Sequence, residues 1–410
     1  MAHHTEDTKY IFIGGLFPRD HEQEIVSNSK GSVQNAANVL QWNFINGFDK
    51  NLDEPISIIN ALYIGSYPKR YKKCFIKPYH FSHTPGADDY EVGFCNLVFY
   101  KHISITKNVN RALKHILLEN RDKRCVIFGY AMTPFIMNAM EFAKKHHQNV
   151  TTCLIVPDLP EYMGIGQKRN AVYTIIKKFS TKHIYTQKKY IDKYVLLTDQ
   201  MHDYLNINDY TVIEGISTNT FEGVEKAEQN EKCILYAGGL NAKYGVTDLV
   251  DAFLTIEKSD YRLIICGSGN AESYIEQAAK KDPRIIFKGL IPRSEALKLQ
   301  ASSTVLINPR KNNEEFTKYS FPSKNLEYLS SGVPLIAYKL DGIPDEYNDY
   351  ITYVPNDSLE ALADTLIKVC ELPLEERNAL GEAAKQFALK SKSDLEQVKK
   401  VLEFVNSNDV

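Results

Sequence analysis

Residues 232–270 read KCILYAGGLNAKYGVTDLVDAFLTIEKSDYRLIICGSGN, and the order of residue types within them decides the fold. An apolar run, CILYA, stops at Gly238-Gly239. Apolar residues three and four apart then cover Val246–Lys258, and a second apolar run, YRLIIC, again stops at a glycine. Neither run alternates with polar residues, so both faces of each strand are covered, as in a parallel sheet flanked by helices on its two sides. The rhythm continues downstream through Ala271–Lys281, RIIFKG, Arg293–Ala301, STVLINP, Pro322–Ser331, VPLIAY and Leu359–Cys370. Upstream it repeats less regularly: YIFIGG, a helix from about residue 32 to 44, SIINALYI, a helix near Asn108–Glu119, RCVIFGY, Pro134–His147, TTCLIVPD, YVLLTD with Gln200–Leu205, and YTVIEG.

Residues 65–93, rich in Tyr, Lys and His, fit neither period and read as a functional loop or an inserted hairpin. The polar stretch FEGVEKAEQNEK at 221–232 separates the two series and reads as a linker. Past Glu375 the pattern is helical to the end. The expected organisation is α/β: two doubly wound parallel-sheet domains, residues 1–222 and 223–385, followed by a C-terminal helix over 386–410 that packs back on the first. In such sheets ligands bind outside the carboxyl ends of the strands, and a cleft between the two domains is the expected place.

Composition sets the outer limits. A chain of 410 residues with 43% hydrophobic and 24% charged residues exceeds any single small binding module. Lys and Arg number 49 against 51 Asp and Glu, a net charge of -2, which offers no general attraction to nucleic acid. The seven cysteines form no C-x-x-C pair and lie mostly in apolar runs, as thiols do in a reducing compartment. MAHHTEDTKY lacks an apolar signal core, and no later run approaches the ~18–20 apolar residues of a membrane span. A cytoplasmic protein is expected. His3 and His4 read as scattered residues, not as a metal site.

Three strand-to-helix turns carry candidate chemistry. The first, Gly238-Gly239-Leu240-Asn241-Ala242-Lys243-Tyr244-Gly245, allows close backbone approach and adds the Lys243 charge at a helix start, where a phosphate is favoured; a plain tight turn with a solvated lysine is the alternative. The second, Cys266-Gly267-Ser268-Gly269, has Glu272 where a dinucleotide loop needs its third glycine, so a packing glycine is the stronger reading. The third is EFTKYSFPSKNLEYLSSGVP at 315–334. Pro322 falls in a first helical turn with Ser320 as cap, and Gly332 with Pro334 ends the helix about three turns later. Free backbone N–H groups beside Lys324 suit a diphosphate. Glu327, one turn below Ser323, suits sugar hydroxyls, unless it is only a solvated helix former.

Taken together, the GGLNAKYG turn, the CGSG loop, FKGLIPRSEAL and SFPSKNLEYLSSGVPLIA resemble the nucleotide-sugar domain of retaining glycosyltransferases of family GT4, of GT-B architecture with two Rossmann-like domains. The resemblance runs from Val212 to Val354, with a weaker echo at Ile155–Tyr162 and Lys193–Thr198, and its FPSK variant is similar to bacterial capsular and exopolysaccharide enzymes. It implies that Glu327, the second glutamate of the family's E-x7-E signature, holds the donor ribose. The first glutamate falls at Tyr319, a departure, and its part in contacting the sugar passes to Glu315. Gly239 and Tyr244 stand where the family places an arginine and a lysine, so Lys243 and Lys324 are expected to neutralise the diphosphate. The resemblance further implies that Phe287, Lys288, Gly289 and Leu290 frame the base, that Ser320, Pro322, Ser323 and Lys324 form the phosphate turn, and that Gly238, Gly239 and Gly267 line the donor.

The first domain should then bind the acceptor, with Gly14-Gly15 brought against donor or acceptor and Asp158 orienting the acceptor hydroxyl; tight turns are the alternatives at both places. His80 and His83 are assigned no role. The implied reaction is attack of an acceptor hydroxyl on the anomeric carbon, with the leaving diphosphate stabilised by lysines and helix N–H groups and able to take the proton itself. No cofactor and no metal are expected, since no D-x-D stands at a plausible site; the nucleotide sugar is a co-substrate and a saccharide or lipid-linked saccharide the acceptor. The alternatives are a sugar-nucleotide epimerase or hydrolase of the same fold, and a non-catalytic nucleotide-sugar-binding subunit. YPKRYKKCFIKPY at 67–79 reads either as a solvated hairpin or as a peripheral membrane contact.

Overall fold

A computed structural model describes residues 8–31, 33–162, 171–227, 231–313 and 315–407. His3, His4, the start of the 32–44 helix and three residues of the 221–232 linker lie outside them. The chain divides into two compact units, residues 1–213 with 394–410, and residues 214–393.

The second unit carries a six-stranded, wholly parallel sheet in the spatial order Ile285–Gly289, Tyr261–Cys266, Lys232–Ala237, Val305–Asn308, Leu335–Ala337, Ile351–Tyr353. This is strand order 3-2-1-4-5-6, a doubly wound sheet whose order reverses between its first and fourth strands. The continuous apolar runs are explained by burial on both faces. Ile234, Leu263, Ile265, Val305 and Ile307 pack on one side beneath Val246–Leu254 and Leu359–Cys370. Cys233, Leu235, Ile264, Leu306 and Leu335 pack on the other with Leu326, Leu329 and Phe387. Because strand side chains alternate, each strand feeds two cores at once.

The first unit repeats the plan in eight strands, ordered Tyr210–Val212, Lys193–Leu196, Val150–Val156, Arg124–Tyr130, Thr8–Gly14, Ser57–Asn60, Asp89–Glu91, Tyr79–Phe81. All pairs are parallel except the last. The segment that fitted no period is therefore a hairpin closing one edge, with a second small ribbon between Phe75–Ile76 and Phe94–Cys95. The His83 side chain turns inward, 2% exposed. It is buried, with Nδ1 2.6 Å from Asp89 and Nε2 2.9 Å from Asp49. Burial alone would lower its pKa, but hydrogen bonds to the two carboxylates more than reverse this and raise it to about 9. A histidine raised above its unfolded value of 6.5 contributes stability that is full below about pH 6.5 and is lost as pH rises through about 9. Urea unfolding should therefore show a loss of up to about 3 kcal/mol between pH 6 and pH 9.5 that His83→Gln abolishes.

The C-terminal tail is two helices, not one. Leu374–Ser391 belongs to the second unit, and the chain then returns through Asp394–Asn406 to the first. The returning helix is held at both ends by charges that suit its dipole. Asp394 at its start pairs with Lys50 at 2.6 Å, and its last carbonyls accept from Arg124 at 3.1 Å (Val405) and Lys193 at 3.0 Å (Phe404). Within the second unit, residues next to the two crossing points are tied together: Ser217 N–H donates to the Lys392 carbonyl at 2.7 Å, and the Lys392 ammonium lies 2.5 Å from Glu214 and from Glu346.

Candidate functional site

The second-unit residues expected to bind a donor lie along the carboxyl ends of the second sheet, on both sides of the point where its strand order reverses and out to the Ile285–Gly289 edge. Three glycine turns are bonded edge to edge there: Gly238 N–H to the Cys266 carbonyl at 3.0 Å, Leu240 N–H to Ser268 at 2.9 Å, and Gly267 N–H to Gly289 at 2.8 Å. Gly267 has φ +137°, and a Cβ on it would fall 1.8 Å from the Gly238 carbonyl oxygen. It is a packing glycine that lets two turns touch. Gly239 is exposed at the rim, as is Lys243, whose N–H donates to the Asn241 side chain at 3.1 Å in the short turn Ala242–Tyr244.

The Ser323–Ser330 helix begins one residue later than the spacing suggested and runs just over two turns, with Pro322 at the N-cap position and no side-chain cap. Ser320 does not cap it; its hydroxyl accepts from Arg310 instead, at 3.3 Å. The first N–H groups of the helix are thus left without a side-chain acceptor. Tyr328 pins the helix to the sheet, its hydroxyl bonded to both the N–H (2.8 Å) and the carbonyl (3.0 Å) of Ala237. Gly332, at φ 76°, ends it.

Glu327 is the centre of the arrangement. Its side chain keeps 17% of its surface, and Oε1 accepts from Lys324 at 2.8 Å and from Gln300 at 2.9 Å, while Arg293 approaches Oε2 at 3.6 Å. Burial pushes its pKa up, but these three partners outweigh it and hold the carboxyl below the ordinary glutamate value. Glu327 is an ionised, oriented acceptor, not a proton donor. Arg293 and Gln300 sit two turns apart on the Arg293–Ser302 helix and were not singled out in the sequence. Their signal was only the helix itself.

Arg310 was also missed. It follows the Val305–Asn308 strand, on the opposite side of the reversal point from the GGLNAKYG turn. Its guanidinium lies over Phe316 (4.7 Å) and Tyr244 (5.2 Å), its Nε is buried without a hydrogen-bond partner, and burial lowers its pKa. Gly245 makes this approach possible. At φ +78°, a Cβ there would lie 2.0 Å from the Pro309 carbonyl oxygen. The sequence showed that the arginine expected at 239 is absent; the fold brings another to the neighbouring turn.

Glu315 is exposed and opens the short turn Glu315–Tyr319, with Tyr319 partly covered at its other end. Lys288 is exposed and pairs with Glu295 at 3.2 Å, Gly289 has φ 62°, and Leu290 is exposed.

In the first unit, a cavity of about 370 Å³ opens at the carboxyl ends of the sheet. Tyr63, Ile64, Ile105, Pro134 and Phe135 form its apolar walls, and Asp158, following the Val150–Val156 strand, stands on its rim. The carboxyl of Asp158 remains accessible, yet the protein crowding it raises its pKa to about 6. Gly14 and Gly15 are buried beside this cavity. The Gly15 N–H donates to Gln41 at 2.8 Å, and a Cβ on Gly15 would meet the Tyr63 ring at 2.0 Å, so the pair packs the strand end and its second amide is already spent. Among the described residues no group of three or more His, Cys, Asp or Glu is placed to hold a metal ion.

Residues 217–387 match the family model for glycosyl transferases group 1. No curated protein matches the sequence. Among solved structures the chain is similar to sucrose-phosphate synthase from Thermosynechococcus elongatus, at 14% identity over 96% of this chain and 98% of that one, with a TM-score of 0.62. It is similar also to Anabaena HepE in complex with UDP, at 11% identity over 98% and 100%, TM-score 0.61. A third is an α,α-trehalose-phosphate synthase (UDP-forming) from Burkholderia xenovorans in complex with glucose-6-phosphate, at 11% identity over 97% and 100%, TM-score 0.63. At these identities the likeness is one of fold, and it spans both units.

Proposed function

We propose that the protein is a retaining glycosyltransferase that moves a hexose from a nucleotide diphosphate sugar, a UDP-sugar, to a hydroxyl of a saccharide or lipid-linked saccharide during surface polysaccharide assembly. The observation that carries the reading is Glu327. A half-buried, ionised carboxylate held by Lys324, Gln300 and Arg293 sits one turn below uncapped helix N–H groups at a sheet reversal point. It lies within the stretch that matches the glycosyl transferase family. A carboxylate so placed accepts sugar hydroxyls, and the helix start, Lys324 and Lys243 favour a diphosphate.

As the anomeric bond breaks, negative charge grows on the leaving diphosphate, and cations already in place lower that barrier without reorganising. The acceptor occupies the first unit, where Asp158 orients its hydroxyl and the leaving phosphate takes the proton. A screen for nucleotide release over sugar donors, with and without acceptors and with EDTA in one arm, tests the reading. Release that needs no acceptor would favour a hydrolase or epimerase, and loss of activity in EDTA restored by Mg²⁺ would sink the metal-independent version.

Arg310 takes over the charge missing at 239. Its unpartnered Nε and its position between two aromatic rings beside Ser320 fit an arginine awaiting an anion. A charge-assisted hydrogen bond contributes about 1.5–3 kcal/mol. Arg310→Gln should accordingly raise the donor KM about 10- to 100-fold with little change in melting temperature, and an unchanged KM would remove Arg310 from the site.

A peripheral membrane contact rests on a surface wider than the 67–79 stretch. Phe75, Val98, Phe99, Tyr100 and Ile103 are exposed, Phe99 to 78%, and Lys69, Lys72 and Lys77 are exposed on the adjoining segment. Tyr67 bridges to Leu97, which brings basic and apolar segments together. That pairing of charge and apolar area suits an anionic bilayer. Among the described residues no helix is long and apolar enough to cross a membrane. In flotation with anionic vesicles, the variant Val98→Ser, Phe99→Ser, Lys69→Gln should bind at least about tenfold less than the parent; equal binding would defeat the contact.

A further inference from the structure

We propose that the cavity in the first unit is an anion site that takes a phosphate group of the acceptor. Calling that ligand the acceptor rests on the glycosyl-transfer reading; the anion site itself rests on the charges around the cavity. Lys30, Arg70 and Lys101 line it, against the single carboxylate of Asp158. Lys101 is largely covered. Its ammonium donates to the Ile64 carbonyl oxygen and lies over the Phe94 ring at 5.7 Å, and among the described residues it has no carboxylate partner. Lys30 likewise donates to a carbonyl, that of Pro68, at 2.9 Å.

Carbonyl oxygens orient an ammonium but do not neutralise it, so a covered cation of this kind is relieved by a bound anion. Burial, and secondarily the charge of Arg70, lower the Lys101 pKa to about 8, which leaves it mostly charged at pH 7. His102 does not add to the charge, because burial and Lys101 both lower its pKa.

The backbone is shaped to bring Arg70 over the cavity. A Cβ on Gly65 would fall 2.2 Å from the Arg70 Cβ, so only glycine at 65 lets the arginine fold across that turn. The lining combines these cations with the apolar side chains of Ile64, Ile105, Pro134 and Phe135. A ligand that joins a phosphate to a sugar or hydrocarbon part matches this mixture of charge and apolar surface. Phosphate fits better than carboxylate because it accepts from several donors at once, and the three cations converge from separate segments.

The full chain would be titrated calorimetrically with inorganic phosphate. The same titration on Arg70→Gln, Lys101→Met and, as controls in the second unit, Lys243→Gln with Lys324→Gln assigns the site. Arg70 is exposed, so its variant tests the cavity even if Lys101→Met folds poorly. One phosphate-binding event should weaken at least about tenfold in the Arg70 and Lys101 variants and persist in the Lys243 and Lys324 variants, which can weaken only a second, separate event. Parental affinity in the cavity variants, or loss confined to the controls, overturns the proposal.

Displacement of phosphate by a soluble hexose phosphate, or by a polyprenyl phosphate in phosphatidylcholine vesicles, upholds the site and identifies its source; displacement by neither overturns it. UDP binding, measured on the same proteins, separates the two readings. Phosphate binding lost in the cavity variants while no protein binds UDP leaves the anion site standing and removes the donor assignment.

Discussion

Glu327→Ala should lower kcat/KM for the nucleotide-sugar donor by about a hundredfold or more, with the melting temperature nearly unchanged. The carboxylate accepts from Lys324 and Gln300 and pairs with Arg293 at 3.6 Å. Removing it takes away the hydrogen bonds expected to the donor and also leaves the Lys324 ammonium without its orienting partner. Each charge-assisted hydrogen bond is worth roughly 1.5–3 kcal/mol, and two lost together correspond to about two orders of magnitude or more. Stability should suffer less, because Lys324 and Arg293 are partly exposed, at 42% and 63%, and water can replace the pairing.

Glu327→Gln discriminates further. It keeps the volume and can still accept from Gln300, so a loss nearly as large as that of the alanine variant would show that the charge matters, not only the shape. Steady-state kinetics with circular dichroism as the folding control are the measurement. Normal activity in both variants would defeat the assignment of this carboxylate.

The strand and helix series of the second unit was legible because its four inner strands obey one rule: strands buried on both faces must be largely apolar, and helices between them must show an apolar stripe. Glu327 was legible for a related reason, since Pro322 and Gly332 bracket its helix. Arg310, Arg293 and Gln300 were not. Each reaches the site through a tertiary contact, Arg310 because Gly245 fits against Pro309, the other two because a neighbouring helix lies against Ser323–Ser330. Spacing along the chain carries no trace of such a meeting. The first unit was less clear because its sheet ends in an antiparallel hairpin, where period and polarity change within a few residues. His83 shows how this misleads: a histidine in a polar loop reads as solvated, yet Asp49, 34 residues upstream, makes it one leg of a buried charge cluster. In a chain with 49 cations and 51 acids, the informative quantity is where charges lose water, not their sum.

Lys392 gives the largest effect expected on stability. In sequence it belongs to the polar run KSKSD, in the part that reads as helical to its end, but its side chain is only 1% exposed. Its ammonium lies 2.5 Å from Glu214, itself 2% exposed, and 2.5 Å from Glu346, and it stands over the rings of Tyr347 (5.2 Å) and Phe387 (5.5 Å). Tyr347 donates its hydroxyl to the same Glu214 oxygen at 2.5 Å. Lys392→Ala would leave the Glu214 carboxylate buried with no cation, which costs about 3–5 kcal/mol when one partner of a buried pair is removed. Lys392→Met fills the volume and isolates the charge effect.

Removing both charges, with Lys392→Met and Glu214→Gln together, should recover much of the loss, since a buried pair replaced as a whole is often close to neutral. Equilibrium urea unfolding of the four proteins closes the cycle. A double variant as unstable as Lys392→Met alone would mean that the loss comes from packing against Tyr347 and Phe387, not from the stranded carboxylate. Because Lys392 and Glu214 each lie within two residues of where the chain passes between its two units, the same variants should lose protection from hydrogen exchange first at Gly215–Ser217 and Ser393.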